Sequence, residues 1–315
     1  MIEIYKKYEG TLQKLTAIED GCWVNIAPPL DNNEIEHLGK ELGIPLDFFS
    51  DSIDIDEQSR FEREDEVDLV VLNVPVFKQD ESEEDAHYIT APIGVISVKG
   101  IIITISAYKN PILDFFLKRN VKAFDPSNHG DFLLRLFDKT IHYFLLYLKK
   151  INHERNAYQK ELYNSSRNTE LAKMLNLQKS LVYFSTSLRD NEQLIEKIKR
   201  TDFIKIRQNE EASDFLEDIL IDNKQAREMT DIYTNILNGT MDAFASIISN
   251  NLNQVMKRLT SVTIVLMVPT LVASFFGMNV DLPFEKYPHA FPMTIGFSIL
   301  LSVIVVYIFR KNKLF

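Results

Sequence analysis

Two long apolar runs near the C-terminal end constrain the fold of this chain more than any other feature. They are Leu259–Met278, with 20 residues, and Phe291–Phe309, with 19 residues, and neither contains a charged side chain. At 1.5 Å of rise per residue, each run would form a helix of roughly 30 Å, which matches the hydrocarbon core of a bilayer. The sequence therefore predicts a C-terminal hairpin of two membrane-spanning helices.

The charges that flank this hairpin predict its orientation. Basic residues lie just before the first span and just after the second, whereas the loop between the spans carries two acids and one lysine. By the positive-inside rule, both termini are cytoplasmic and the loop is external. We therefore expect a multi-pass protein of the cell membrane (an inner or plasma membrane), with the lipid bilayer as a partner. The flanking residues are Lys257, Arg258, Arg310, Lys311 and Lys313.

Composition excludes several classes of function. The net charge is −10, and the concentrated basic patches lie beside the membrane, so nucleic acid is not expected as a partner but cations are. The single cysteine, Cys22, excludes an intramolecular disulfide. The six histidines are scattered, and no phosphate-binding loop or nucleophile elbow occurs. We therefore expect neither an enzyme nor an organic cofactor.

The predicted secondary structure of the soluble part changes near Asp125, from mixed strands and helices to long helices. Residues 1–125 indicate a cytoplasmic α/β domain, in which Lys99-Gly100 forms a hairpin turn and Asp31 caps a helix. The acidic stretch Asp51–Asp68 is interpreted as a solvated loop and strand edge. The predicted strands are Cys22–Ile26, Val67–Val76, Ile93–Val98 and Ile101–Ser106, and the helix is Glu34–Leu42.

Long helices are predicted to follow, because no proline and only Gly239 occur between Asp131 and Arg258. Two helices would cover 131–163 and 169–199, and a third would run from Phe215 into the first span. The third carries an apolar stripe that one chain does not bury, which favours self-association. The predicted segments are a helical hairpin (126–205), a stalk helix (206–258), a pore-lining span (259–279), an external loop (280–290), a second span (291–310) and a basic tail (311–315).

One face of the first span combines hydroxyl and thioether side chains. Thr263, Met267, Thr270 and Ser274 recur at steps of four, three and four, and Asn253, Met256 and Leu259 continue the line upstream. Two interpretations are open. The face packs against the second span, since small and hydroxyl residues favour helix contacts in membranes. Alternatively, several copies of the chain line a pore with it.

The first span ends in the tripeptide Gly277-Met278-Asn279, which follows Phe276 and is reached through Met267 and Pro269-Thr270. This pattern resembles the signature of the CorA family of divalent-cation channels. The resemblance extends back through Asn253–Thr260 and forward to the basic C-terminus. The resemblance covers roughly residues 205–315. The residues before these match the family only in their general pattern, without a shared motif.

The resemblance implies a funnel-shaped homopentamer with an α+β cytoplasmic domain, long helices and a two-helix transmembrane hairpin. It implies that Asn279 forms an external ring that captures hydrated Mg²⁺, since amide oxygens accept hydrogen bonds from the waters that this ion releases reluctantly. Gly277 would allow a tight turn or a close approach between copies, and Met278 would pack to hold the turn. The conduit and gate would consist of Asn253, Met256, Leu259, Thr263, Met267, Thr270 and Ser274.

Two departures from the family pattern concern the mouth of the pore. Phe276 stands where the family usually has a tyrosine, and little effect is expected. The loop keeps the acids Asp281 and Glu285, but the order of the residues around them differs from that of the family. These two acids would raise the local cation concentration or would serve solubility alone.

The resemblance also implies a cytoplasmic Mg²⁺ sensor between subunits. Asp218 matches a family aspartate, and Asp214, Asp218 and Asp222 share one helical face, where their mutual repulsion would be relieved by a bound dication. The partner acid is expected from the N-terminal domain, with Asp80 as the candidate. Mg²⁺ is thus expected both as the transported and as the regulatory ion.

The resemblance therefore implies passive import of Mg²⁺, and of Co²⁺ or Ni²⁺, driven by the membrane potential and inhibited by cytoplasmic Mg²⁺. A dication that crosses 100 mV gains about 4.6 kcal/mol, which is twice the roughly 2.3 kcal/mol of one charge. Two alternatives stay open: a zinc transporter of the same family, and a membrane-anchored interaction protein without transport. The lack of cysteine and histidine in the expected conduit favours a hard, hydrated ion.

Overall fold

The computed structural model describes residues 1–78, 85–118, 124–165, 168–278 and 288–312. These residues divide into two compact units, Met1–Gly239 and Thr240–Phe315. The boundary falls inside the longest helix, and each unit is described by itself.

The first unit contains a seven-stranded sheet with the order β2-β1-β3-β7-β6-β5-β4. All pairs are antiparallel except β3 with β7, which run parallel. The strands are β1 (Ile2–Tyr8), β2 (Thr11–Leu15), β3 (Trp23–Ile26), β4 (Arg60–Glu64), β5 (Val67–Phe77), β6 (Tyr88–Val98) and β7 (Ile101–Ile105).

The long β5–β6 ladder forms the centre of this sheet and contains two prolines. Pro75 pairs with Thr90, and Pro92 pairs with Asn73. Both prolines lie beyond the last residue that pairs with the outer neighbour, since β4 reaches only Val71 on one side and β7 reaches only Gly94 on the other. The missing N–H of each proline therefore costs no ladder hydrogen bond.

Helices cover both faces of the sheet. Their bounds are α1 (Asn32–Leu42), α2 (Leu46–Asp51), α3 (Pro111–Lys118), α4 (His129–Ser165), α5 (Asn168–Thr201), α6 (Glu210–Phe276) and α7 (Ala290–Lys311). One core includes α1 and α2, with Leu38 and Phe48 packed among residues such as Val71 and Ile103. The other core includes α3, α4, α5 and the first part of α6, with Phe132 and Leu216 among residues such as Val70. Successive residues of β5, Val70 and Val71, thus enter opposite cores, as the period of a strand requires.

The first 30 residues of α6 pack against α5 within this unit. The Asn223 Nδ2 donates to Leu188 O at 2.9 Å, and Gln178 Nε2 donates to Asn238 Oδ1 at 2.8 Å. Lys199 also forms an ion pair with Glu217 at 2.9 Å. Several polar contacts therefore fix the register of the two antiparallel helices.

Most predicted elements are present in the structure. Asp31 caps α1 by accepting from Asn33 N at 2.9 Å, and Gly43 ends α1 in the left-handed conformation. Lys99 and Gly100 both have positive φ, which confirms the predicted hairpin turn. The acidic stretch differs in part from the prediction, because it contains the edge strand β4, whose Arg60 pairs with Asp51, Glu57 and Glu62.

Candidate functional site

The second unit contains the end of α6 and α7, and both helices are long and apolar enough to cross a membrane. Most of their side chains are exposed in a single chain. A surface of this kind requires lipid or other copies of the chain around it. The predicted pair of spans is therefore present among the described residues.

Each span has one face whose side chains are less exposed to solvent than those on the rest of the helix. On α6 this face is formed by small or β-branched residues and one proline, and on α7 it contains two serines and a threonine. Small residues of this kind let two helices approach closely in a membrane. Because α7 is the only other helix in the described part of this unit, we assign these two faces to the contact within the hairpin. They consist of Ser261, Val265, Val268, Pro269 and Val272 on α6, and of Ala290, Thr294, Ser298, Leu301, Ser302, Val305 and Phe309 on α7.

The predicted conduit residues lie on the opposite face of α6. Thr263, Met267, Thr270 and Ser274 are all exposed, whereas Val272 is only 7% exposed. At 100° per residue, Thr270 and Val272 project about 160° apart around the helix. The structure thus argues against the interpretation in which this stripe packs on the second span, and it leaves the stripe available to lipid, to water or to other copies.

The threonine hydroxyls on this face are oriented by the helix backbone. Thr263 Oγ1 donates to Leu259 O at 2.8 Å, and Thr270 Oγ1 donates to Leu266 O at 3.2 Å. A hydroxyl has one hydrogen and two lone pairs, so each oxygen offers only acceptor capacity to its surroundings. Acceptors suit a cation or the waters around it, and sequence reasoning did not predict this orientation.

The upstream part of the same face is apolar. Met256 is 52% exposed and Leu259 is 58% exposed. These residues precede Thr263 by seven and four positions, so they project within about 40° of it. Asn253 is exposed too but projects about 60° away from Met256, at the side of the stripe. The line of residues predicted for the gate is therefore continuous with that predicted for the conduit.

The helix ends next to the predicted mouth. Gly277 N donates to Ala273 O at 3.0 Å, and Met278 N donates to Phe275 O at 3.3 Å. Gly277 does not adopt a positive φ, and a Cβ at this position would lie at an ordinary 3.4 Å from Ala273 O. Within a single chain, the backbone conformation at position 277 therefore does not require glycine. The predicted close approach of Gly277 to neighbouring copies stays a prediction.

Met278 is 53% exposed. Its predicted packing against the turn stays a prediction, because the residues that follow it lie outside the described ranges. Asn279, Asp281 and Glu285 lie outside the described residues, and so does Asp80. Their predicted roles at the mouth and in the sensor stay predictions.

The predicted sensor helix presents its acids to solvent. Asp214, Asp218 and Asp222 are exposed on α6, whereas Leu216 and Ile219 on the other side of the helix are buried in the core. Within the described ranges, no three His, Cys, Asp or Glu side chains come close enough to hold a metal ion. The prediction that Asp218 acts with an acid of a neighbouring subunit therefore stays open.

The single cysteine does not belong to this site. Cys22 is fully buried beside β3, and burial raises the pKa of its thiol. A neutral, enclosed thiol is a poor metal ligand, because it is the thiolate that coordinates metals. We therefore do not expect Cys22 to serve as a sulfur ligand for a metal ion.

A sheet-and-helix unit joined through one 67-residue helix to a two-span hairpin defines a membrane protein with a large soluble domain. A family model described as "CorA-like Mg2+ transporter protein" matches residues 19–311. The chain therefore belongs to this family, whose members are membrane proteins that transport Mg²⁺, and the family predicted from the tripeptide is confirmed.

Individual relatives agree with this assignment. The chain is 26% identical over 295 residues to the cobalt/magnesium transport protein CorA of Methanocaldococcus jannaschii, which covers 92% of this chain and 90% of that protein. The complete structure of the CorA magnesium transporter from the same organism superposes with a TM-score of 0.82, at 24% identity and with 99% and 98% of the two chains covered.

A more distant likeness concerns the soluble region. The cytoplasmic domain of ZntB from Vibrio parahaemolyticus superposes with a TM-score of 0.61 at 12% identity, over 79% of this chain and 98% of that domain. Likeness at this level shows a shared fold. The predicted fold is confirmed in its α+β domain, its long helices and its two C-terminal apolar helices.

Proposed function

We propose that this chain forms a channel through which Mg²⁺ enters the cell passively, driven by the membrane potential, with Co²⁺ and Ni²⁺ as further substrates. The observation that carries the proposal is the position of the predicted conduit. Thr263, Met267 and Thr270 lie exposed on the face of α6 opposite to the one that packs in the hairpin. Membership of a Mg²⁺ transporter family supports the choice of ion.

The proposal requires several copies of the chain, because one exposed helical face does not enclose a pathway. In a funnel-shaped homopentamer, five copies of α6 would surround an axis. Large apolar side chains also remain exposed along α6 outside the span, which supports self-association. They include Ile221, Ile232, Leu252 and Val255.

The order of side chains along α6 suits a hydrated dication. A ring of Asn279 amides at the outer mouth would accept hydrogen bonds from the waters of Mg²⁺, without removing those waters. The hydroxyl oxygens of Thr270 and Thr263 would offer further acceptors, because their hydrogens are donated to the backbone. Met256 and Leu259 would then form an apolar neck that closes by dewetting.

The driving force needs no chemical reaction. Moving one charge through 100 mV is worth about 2.3 kcal/mol, so a dication gains about 4.6 kcal/mol. Asp281 and Glu285 in the external loop would raise the local concentration of cations before entry. Both termini would be cytoplasmic, in accord with the basic residues Arg258 and Arg310 at the ends of the spans.

Cytoplasmic Mg²⁺ would close the channel by binding between subunits. Asp218 on α6 of one copy and Asp80 of the next would share the ion, which would relieve the repulsion among the exposed acids. Binding would favour the closed state only to the extent that the ion prefers that state. Loss of cytoplasmic Mg²⁺ would then let the subunits separate and the neck fill with water.

The test is ion uptake by the purified chain in proteoliposomes that contain a Mg²⁺-sensitive dye, with a potassium diffusion potential imposed. We expect uptake that scales with the potential, and a loss of at least tenfold in Asn279→Ala. Asn250→Ala removes an exposed amide from a face of α6 outside the proposed lining stripe, so it serves as the matched control and should conduct normally. Absence of voltage-driven uptake, or equal uptake in Asn279→Ala and the parent, would favour an anchored protein without transport.

Competition between ions separates the zinc alternative. Neither Cys nor His occurs among the proposed lining residues, so we expect Mg²⁺ uptake to proceed in the presence of an equal concentration of Zn²⁺ and without a pH gradient. Preferential Zn²⁺ uptake that requires a pH gradient would support a zinc transporter instead.

A further inference from the structure

A side chain of α5 completes the edge of the sheet at the point where β4 ends. β4 pairs with β5 only as far as Val71, so Asn73, two residues further along, has no strand partner on that side. The amide of Asn191 replaces it: Asn73 N donates to Asn191 Oδ1 at 3.2 Å, and Asn191 Nδ2 donates to Asn73 O at 2.8 Å. One side chain thus satisfies both backbone groups of one strand residue.

Neighbouring groups hold this amide in a single orientation. Ser59 Oγ donates to Asn191 Oδ1 at 2.7 Å, and Asn73 N also approaches Ser59 Oγ at 3.1 Å. The side chain of Asn73 donates through Nδ2 to Glu57 O at 3.1 Å. Asn191 is 0% exposed. A buried network of this kind, in which the partners satisfy one another, fixes geometry more firmly than apolar packing does.

The same short segment of α5 also holds α6. Leu188 O accepts from Asn223 Nδ2 at 2.9 Å, and Glu192 pairs with Arg227 at 3.3 Å. The five residues from Leu188 to Glu192 therefore contact the sheet on one side and α6 on the other, and all these contacts lie within the unit Met1–Gly239. Asn223 follows Asp218 by five residues on α6, a little more than one helical turn.

We propose that Asn191 is a positioning residue that makes β5 and α6 move together, so that a cation bound at Asp218 acts on the sheet as well as on the stalk. This inference rests on the proposed inhibition by cytoplasmic Mg²⁺. A displacement of α6 reaches α5 through Asn223 and Arg227, and it reaches β5 through the paired amide contacts of Asn191. Without them, α5 would keep one polar contact with the sheet, from Ser187 Oγ to Thr90 Oγ1 at 2.8 Å on β6. Its remaining contacts with the sheet would be apolar, and apolar contacts are non-directional and permit sliding.

The test uses the full-length chain in proteoliposomes, with uptake measured against internal Mg²⁺. Asn191→Leu keeps the size of the side chain but removes both amide contacts. We expect its uptake at low internal Mg²⁺ to match the parent, and the internal Mg²⁺ that halves uptake to rise by about 2- to 30-fold, the range for residues that modulate coupling. Asn191→Asp keeps an acceptor for Asn73 N and loses the donor, so it should shift less.

A matched control removes two buried hydrogen bonds from the sheet without changing a residue of α5. Thr104→Val loses the contact from Trp23 Nε1, at 2.8 Å, and the contact to Asn25 Oδ1, at 3.0 Å, and it should lower the melting temperature without moving the Mg²⁺ response. Equal inhibition of the parent and both Asn191 variants would overturn the coupling alone, and so would an equal shift in Thr104→Val. Uptake in the parent that no internal Mg²⁺ suppresses would instead count against the proposed regulation itself.

Discussion

Introduced cysteines test which face of α6 meets water. Thr270 lies on the exposed stripe, and Val272 lies on the face that packs in the hairpin, about 160° away around the helix. If the stripe lines an aqueous pathway, a charged, water-soluble thiol reagent will reach Thr270→Cys and will not reach Val272→Cys. The two positions are separated by one residue, so they differ in face and hardly in depth.

The native chain is not expected to react with the thiol reagent in this experiment. Cys22 is its single cysteine, and it is fully buried in the soluble unit. Burial raises the pKa of its thiol, so the reactive thiolate is depleted further. Cys22 therefore needs no replacement, and the unmodified parent is the direct control for the reagent.

The expected contrast follows from the cost of a buried charge. A thiol in water, with a pKa near 8.5, is ionised to about a tenth at pH 7.5. Forming a thiolate in a dry contact costs at least several kcal/mol, and each 1.4 kcal/mol is a factor of ten. Val272→Cys, at a position only 7% exposed, should therefore react about 100-fold more slowly than Thr270→Cys, or more slowly still.

Modification rates and Mg²⁺ uptake would be measured on the same proteoliposomes. The reagent should block uptake through Thr270→Cys, since the added group would occupy the pathway, and it should leave the parent unaffected. Equal reaction rates at the two positions would refute the assignment of faces. Full modification of Thr270→Cys with undiminished uptake would refute the pathway, even if the faces are assigned correctly.

Two further predictions concern the soluble unit. The Asp218→Ala channel should conduct at a millimolar internal Mg²⁺ concentration that silences the parent, because the sensor loses a ligand. As a control, Asp231→Ala, which removes another exposed acid of α6, should be inhibited normally. Unchanged inhibition of Asp218→Ala would show that Asp218 is not part of the sensor. Arg155 is buried with its Nε and Nη1 unpaired, and burial lowers the pKa of its guanidinium. Because an unsatisfied buried group costs about 1–3 kcal/mol, Arg155→Met should raise the melting temperature by several degrees. The exposed Arg189→Met should leave the melting temperature nearly unchanged, and a lower value for Arg155→Met would show that its contact with Asn156 outweighs that cost.

The long elements could be predicted because their signals are local. The absence of proline between Asp131 and Arg258 predicts α4, α5 and α6 directly, and uncharged runs of bilayer length predict the spans. The strands β1, β2 and β4 escaped prediction because they lie toward the edges of the sheet and are polar. Arg60–Glu64 alternates charges with one phenylalanine, and such charged edges protect a sheet from further pairing while they resemble a loop in sequence.

The contacts that carry the coupling proposal and those that set the faces of the spans are long-range, and no local pattern encodes them. Asn191 and Asn73 are 118 residues apart, and although Asn73 lies in an apolar strand, nothing in the sequence pairs it with Asn191. The choice between the two interpretations of the first span had the same origin. A stripe of hydroxyl residues suits helix contact and pore lining equally. Only with both spans in place does the covered face, which contains Ser261 and Val272, show that a different face of α6 packs in the hairpin.

The exposed hydroxyls of α6 do not by themselves indicate water, because a hydroxyl that donates to its own helix is tolerated in lipid. The distribution along the helix is more informative. A face that meets lipid is most apolar at its centre and polar near its ends, and the exposed side chains of α7 follow this rule, from Ile295 through Ile299 to Ile304. Along the exposed stripe of α6 the order is reversed: the apolar Met256 and Leu259 lie toward the N-terminal end of the span, and Thr263 and Thr270 lie within it. This reversal suits a wet interior with a dry neck, which is what the proposed ring of copies would provide.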